Sequence, residues 1–149
     1  MTTEPISIQI DEQSGTIDLI AGRGCPYQCS YCVEPTYQKI FKGKGKFVRY
    51  RSVDNVMEEV ADLQRRFKFS RINFVDDVFT IDIRWLREFS AKYKKYFKIP
   101  YTCNARIEAL REESFQLLKD SGCFSLEMGI ESGCERIREQ VLERKMTNH

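Results

Sequence analysis

The stretch Gly22-Arg23-Gly24-Cys25-Pro26-Tyr27-Gln28-Cys29-Ser30-Tyr31-Cys32 places three cysteines at Cys-x3-Cys-x2-Cys spacing in a loop punctuated by glycine and proline. Thiolates are the ligands of iron–sulfur clusters, and a cubane cluster normally takes four of them. Three from one loop would hold three irons and leave the fourth open to a small molecule. Structural zinc sites use Cys-x2-Cys pairs and fill all four positions. This chain has no second pair, and its only histidine is His149. Chance is a poor account, because half of the six cysteines fall within the eight residues 25–32. Disulfides are a poor account too: three is odd, and nothing in the sequence suggests export.

Outward from the loop the chain alternates strand and helix. Ile6, Ile8 and Ile10 alternate with polar residues, 11–15 reads as a turn, and 16–21 predicts a short apolar strand running into the cysteines. On the other side, 41–47 (FKGKGKF) reads as a flexible basic loop. Ser52 is placed to cap a helix with Val53, Val56, Met57, Val60, Leu63 and Phe67 at helical spacing. Residues 72–75 predict a buried strand. Asp82 caps the next helix, with Trp85, Leu86, Phe89, Tyr93, Tyr96 and Phe97 on one stripe. A weak strand at 100–103 precedes a helix near 112–120 that stops at Gly122. A strand at 124–128 and a helix at 134–142 complete the pattern. Such alternation implies a parallel sheet with right-handed crossovers and helices on its outer face. In these sheets the chemistry gathers at the carboxyl ends of the strands. Four polar groups stand at predicted strand exits: the cysteines, Asp76-Asp77, Asn104 with Arg106, and Glu131-Ser132.

Bulk properties exclude more than they assign. At 149 residues the chain is one domain's worth, and 42% hydrophobic with 31% charged residues describes an ordinary globular protein. A net charge of +2 is too small to argue for nucleic acid. There is no basic n-region followed by an apolar h-region, and no apolar run approaches ~20 residues. No membrane partner is expected. Six cysteines without an export signal imply a reducing compartment, with cytoplasm the expected location.

Each candidate residue has a plainer alternative. Asp76-Asp77 could be a turn and helix cap. In Gly129-Ile130-Glu131-Ser132-Gly133 the glycines permit close backbone approach and the carboxylate could accept from two ribose hydroxyls, or the acid could simply start a helix. Asn104-Ala105-Arg106 could hold a substrate or a cofactor carboxylate, or make surface hydrogen bonds. Arg144 could pair bidentately with a carboxylate, or be a solvated helix-end arginine. Cys103, Cys123 and Cys134 read as core or loop residues. Lys42, Lys44, Lys46, Arg49 and Arg51 read as a solvated loop, with contact to an anionic substrate or tRNA the other reading.

The cysteine segment resembles the cluster loop of radical S-adenosylmethionine (radical SAM) enzymes, and the resemblance runs from about Ile17 to the C-terminus. DDVFT at 76–80 departs from the family's usual Gly-Gly-Glu and looks like the cobalamin-associated branch, while GIESG at 129–133 resembles the ribose motif. The resemblance implies an α/β fold, a partial (β/α) barrel, with a [4Fe-4S] cluster on Cys25, Cys29 and Cys32. It places Tyr31 near the adenine of SAM, Asp76 or Asp77 at the SAM ammonium, and Glu131 and Ser132 at the ribose. Asn104, Arg106 and Arg144 are the candidates for the SAM carboxylate or substrate. The implied activity is reductive cleavage of SAM to a 5′-deoxyadenosyl radical that abstracts hydrogen from a small-molecule substrate, in a branch that includes methyltransferases and rearranging enzymes. A one-electron donor such as flavodoxin or ferredoxin is the implied partner.

Two departures shape the expectation. The branch usually carries a cobalamin domain ahead of the loop, whereas about two dozen residues precede it here, so cobalamin is not expected from this chain. A barrel unit takes roughly 30 residues, and the sequence accounts for four units where the family has six. The expected layout is a lead-in strand at 1–16 and a core domain at 17–149, incomplete at its C-terminus. Self-association or a second chain would complete the barrel. The competing reading is a truncated, non-catalytic iron–sulfur module.

Overall fold

Ile17, Leu19, Ile72, Phe74, Tyr101 and Cys103 alternate with polar neighbours, and in a strand that alternation sends one set to each face. The computed structural model describes residues 10–11 and 15–148. Its elements are β1 (Ile10–Asp11), β2 (Thr16–Leu19), β3 (Gly22–Arg23), α1 (Glu34–Ile40), β4 (Arg49–Tyr50), α2 (Val53–Arg66), β5 (Arg71–Phe74), α3 (Ile83–Tyr96), β6 (Tyr101–Asn104), α4 (Glu112–Ser121) and β7 (Cys123–Glu127). A 3-10 turn at Ile107–Ala109 and a π-helical turn at Ile137–Val141 join them.

The main sheet runs β1-β2-β5-β6-β7. From β2 to β7 the neighbours are parallel, in chain order, and β1 joins the edge antiparallel with Ile10 opposite Ile17. This is the parallel sheet that the alternation implies, and it is consistent with the partial (β/α) barrel that the resemblance implies. Ile6 and Ile8 lie outside the described residues.

All six alternating residues are buried on one face, where α2, α3 and α4 cover them. The helices bury their periodic stripes, Val53, Val56, Val60 and Leu63 on α2 and Trp85, Leu86, Phe89 and Tyr93 on α3. Phe89 packs edge-on to Phe74 and Tyr101, with ring centroids 5.4 and 5.6 Å away, which favours the quadrupoles of all three. Tyr96 is the exception. It is 60% exposed, with the Lys95 ammonium over its ring, because α3 ends there and Phe97 turns inward instead. Caps form as the sequence implies: Ser52 accepts from the Asn55 amide, Asp82 from those of Arg84 and Trp85, and Gly122 ends α4 at φ +96. On the opposite face Asn73 donates to Asp18 at 3.0 Å and Thr102 donates to Asn73 at 2.8 Å, a polar row across three strands. Among the described residues no helix is long and apolar enough to cross a membrane.

Between β2 and β5 the chain makes a long excursion, tied at its base by the antiparallel ribbon β3-β4. It carries the cysteine loop, then α1, then the basic loop. The helix α1 has no sequence counterpart, because seven residues are too few to show a period. The excursion folds back on itself at Gly24, whose φ is +87 and whose missing Cβ would lie 2.5 Å from the Phe47 carbonyl oxygen. Only glycine satisfies both conditions. Gly24→Ala should therefore destabilise the chain by about 1–3 kcal/mol, read as a lower urea midpoint. A midpoint equal to that of the parent would show that the excursion does not depend on this contact.

Candidate functional site

The cysteine loop is held from three sides. From α1, Glu34 accepts from the Cys25 amide at 2.8 Å, and Gln38 donates to the carbonyls of Cys25 and Tyr27 at 2.7 and 3.1 Å. From β5, Asp77 accepts from the Gly24 amide at 2.7 Å. From the C-terminal segment, the carbonyls of Val141 and Leu142 accept from the Ser30 hydroxyl and amide. Cys25 and Cys29 are buried and Cys32 is exposed, and all three are free thiols. Burial pushes the Cys25 thiol up.

A cleft of ≈470 Å³ opens at the carboxyl ends of the four parallel strands. Cys25, Cys29, Cys32 and Tyr31 line one wall; Asp77, Asn104, Arg106, Glu131 and Arg144 line the rest. Residues far apart in sequence thus meet where the strand exits predicted. The chemistry of the donor set suits a thiolate-ligated cluster: three free thiols, no histidine among the described residues, and a cation beside them. Among the described residues, no group of three or more Cys, His, Asp or Glu side chains is drawn closely enough together to hold a metal ion.

The cation is Arg106. One of its amino groups donates to the Cys29 sulfur at 2.9 Å, and its guanidinium carbon lies 3.9 Å from the centre of the Tyr27 ring. The other donates to Glu108 at 2.6 Å. Burial pulls the Arg106 pKa down, but Glu108 and Cys29 outweigh it and hold the guanidinium charged. Glu108 also faces Arg144, whose Nε is 3.3 Å away. Arg144 then reaches Glu131 and the Tyr31 hydroxyl, each at 3.4 Å. The solvated helix-end reading of Arg144 is corrected: its side chain is 3% exposed, because the segment after the π-helical turn folds back over the cleft. The surface hydrogen-bond reading of Arg106 is corrected as well.

Two candidates stand elsewhere. Asp76 turns into the protein, where Oδ2 accepts from the Ala21 amide at 3.1 Å and Oδ1 is buried with no hydrogen-bond partner among the described residues. Ser132 spends its hydroxyl on the Cys134 amide and its carbonyl on Arg138. Neither lines the cleft. Asn104 lines it while its amide donates to the Asp76 carbonyl at 3.0 Å. Glu131 adopts φ +66, a left-handed conformation that a non-glycine residue holds only at a cost. A Cβ at Gly129 would collide with the Glu131 carboxylate, so the glycine leaves room for that side chain to fold back. Sequence reasoning passed over Glu108, Tyr27, Glu34 and Gln38. Glu108 had one available signal, its place two residues after Arg106 in an acid–base pair.

The sequence model of the Radical SAM superfamily matches residues 19–148. An uncharacterized methyltransferase of Pyrococcus horikoshii is 30% identical over 83% of this chain and 26% of its own length. A bacteriochlorophyllide d C-12(1)-methyltransferase of Chlorobaculum tepidum is 31% identical over 80% of this chain and 25% of its own. A cytidylyl-2-hydroxyethylphosphonate methyltransferase of Streptomyces wedmorensis is 25% identical over 86% and 23%. The chain spans about a quarter of the length of the curated relatives it matches.

The buried Asp76 gives a pH signature. Burial pushes its carboxyl up to about 6, above the ~3.9 of an unfolded chain. The folded state therefore binds this proton more tightly, and the stability it contributes is present below pH ~4 and lost as the pH rises through about 6. Asp76→Asn removes the ionisation. Its stability relative to the parent should rise by about 2–3 kcal/mol between pH 4 and 7, measured by urea denaturation. A difference that is flat with pH would place the Asp76 carboxyl in water.

Proposed function

The chain belongs to the radical SAM superfamily, and on that premise we propose that Cys25, Cys29 and Cys32 hold a [4Fe-4S] cluster and that SAM lies in the adjoining cleft. The observation that carries this reading is the convergence of the three cysteines, Asp77, Asn104, Arg106 and Glu131 on one cleft from four strand exits, joined there by Arg144 from the C-terminal segment. When bound, the cluster supplies the single electron that cleaves SAM to methionine and a 5′-deoxyadenosyl radical.

The residues of the chain bind and orient. Of the two aspartates, Asp77 is the one that faces the cleft, so it takes the SAM ammonium through a charge-assisted hydrogen bond. Glu131, folded back over Gly129, takes the ribose hydroxyls, and Tyr31 stands beside the adenine. Arg144, held by Glu108, offers its guanidinium to the SAM carboxylate. Arg106 donates to the Cys29 sulfur, which offsets thiolate charge and raises the reduction potential of whatever that sulfur ligates. Transfer of a methyl group to a small organic molecule is the reaction the named relatives favour, since each is called a methyltransferase. No described residue is assigned to cobalamin.

Anaerobic reconstitution should give about four irons and four sulfides per chain. The triple Cys→Ala variant at 25, 29 and 32 should take up none, while Cys103→Ala, Cys123→Ala and Cys134→Ala should take up the full amount. Asp77→Ala and Glu131→Ala should each weaken SAM binding by about 1.5–3 kcal/mol, with Ser132→Ala close to the parent. Arg106→Ala should keep the iron and shift its midpoint potential negative in a redox titration followed by electron paramagnetic resonance. Tight zinc without iron uptake, or SAM affinity untouched by both acidic variants, would remove this assignment.

A further inference from the structure

A second, larger cleft of ≈740 Å³ lies beside the first, on the other side of the cysteine loop. Glu34, Asp77 and Gly24 contribute to its wall, and Glu34 and Asp77 also line the cluster cleft. The two spaces are therefore neighbours across one thin partition. Like the first, this cleft opens at strand carboxyl ends, those of β2 and β5, where open parallel sheets bind their ligands.

Its floor and rim differ in character. Ile20, Tyr37, Phe41 and Val75 line it and are 38–49% exposed, so four large apolar side chains left open to solvent converge on one concavity. Isolated exposed apolar residues need no explanation, but a contiguous group with a polar rim marks a binding groove. The rim holds Arg23, Lys44, Lys46 and Arg49. Arg23 and Arg49 are register partners in the β3-β4 ribbon, and like charges directly opposite each other on antiparallel strands repel. Among the described residues none of these four cations forms an ion pair; Arg49 reaches only the Phe47 carbonyl, and Lys44 lies 5.8 Å from the centre of the Phe41 ring. The two carboxylates on the shared wall are already engaged by the amides of Cys25 and Gly24.

We propose that this cleft binds an amphiphilic anion, a small molecule with a carboxylate or phosphate group and an apolar body. The acid group sits between Arg23 and Arg49, relieving their repulsion, with Lys44 and Lys46 above it. The apolar body lies on Ile20, Tyr37, Phe41 and Val75, against the partition next to the cysteines. The volume suits a molecule of ordinary cofactor or metabolite size. That this ligand is the molecule acted on at the cluster rests on the reading of the preceding section; the binding site itself does not.

The test is titration of the full chain, with and without reconstituted iron, using octyl phosphate, octanoate, octyl glucoside and inorganic phosphate as probes. The two anionic octyl probes should bind at one site per chain with equal affinity in both forms, and weaken as salt is raised. Octyl glucoside, with the same tail and a neutral head, and inorganic phosphate, with no tail, should each bind at least about tenfold more weakly. Arg23→Gln/Arg49→Gln should weaken octyl phosphate by about tenfold or more. Lys44→Gln/Lys46→Gln, at two solvent-exposed positions, should weaken it in the same direction. Equal affinity for the neutral and anionic probes, or loops and ribbon variants that bind like the parent, would overturn the proposal. So would sedimentation of the chain with phosphatidylglycerol vesicles but no binding of monomeric octyl phosphate, which would assign the surface to a membrane. Failure of iron uptake leaves this titration intact, and failure of the titration leaves iron and SAM binding intact.

Discussion

Two consecutive carboxylates at the end of β5 decide how the chain leaves β2. Asp76 takes the Ala21 amide inside the protein, and Asp77 takes the Gly24 amide at its surface. A parallel sheet by itself leaves the direction of its exit loops open, since ladder bonds end with the last paired residue. Here the ladder is continued by side chains for another five residues, from Leu19 to Gly24. That extension aims the cysteine loop over the sheet end rather than away from it. Gly24 completes the turn because its backbone alone can pass so close to the Phe47 carbonyl.

Charge organisation follows from that placement. With the loop folded over the strand ends, Cys29 meets Arg106 from the third strand exit, and Arg106 meets Glu108. Glu108 in turn holds Arg144, which reaches Glu131 and Tyr31. Alternating signs along this line keep each buried ion beside an opposite charge, the condition under which buried ions are tolerated. The strained backbone at Glu131 lies at the end of the same line. Strain of that kind persists where surrounding contacts over-determine it, and such positions concentrate at ligand sites.

Beyond the loop, the excursion between β2 and β5 serves two clefts at once. Its inner side faces the cysteines and its outer side carries the cations and aromatic rings of the basic segment. The same Glu34 and Asp77 that pin the loop form the partition. Binding on one side and chemistry on the other would thus share structural supports, which is a compact way for one insertion to position both.

The four parallel strands, the three long helices, the N-caps of α2 and α3 and the stop at Gly122 were legible in the sequence because each is set by local chemistry: period two or 3.6, a capping hydroxyl or carboxylate, a glycine at the stop. The cysteine spacing was legible for the same reason, as was the gathering of polar groups at strand exits, since a parallel sheet puts its carboxyl ends together. The two-residue strands β3 and β4 are too short to show a period and were not legible. What the linear order could not determine was partnership. Asp76 and Asp77 are neighbours in sequence, yet successive side chains leaving a strand point to opposite sides, and only the packed sheet says which side is the cleft. Arg144 reads as a solvated residue until the C-terminal segment folds back and buries it against Glu108. Helix α1 is too short to announce itself, and its bonds to the cysteine loop span gaps no pattern encodes. Periodicity and turn chemistry act over a few residues and are written in the sequence; the pairing of buried charges depends on which distant atoms packing brings within 3 or 4 Å, and that was decided by the tertiary structure alone.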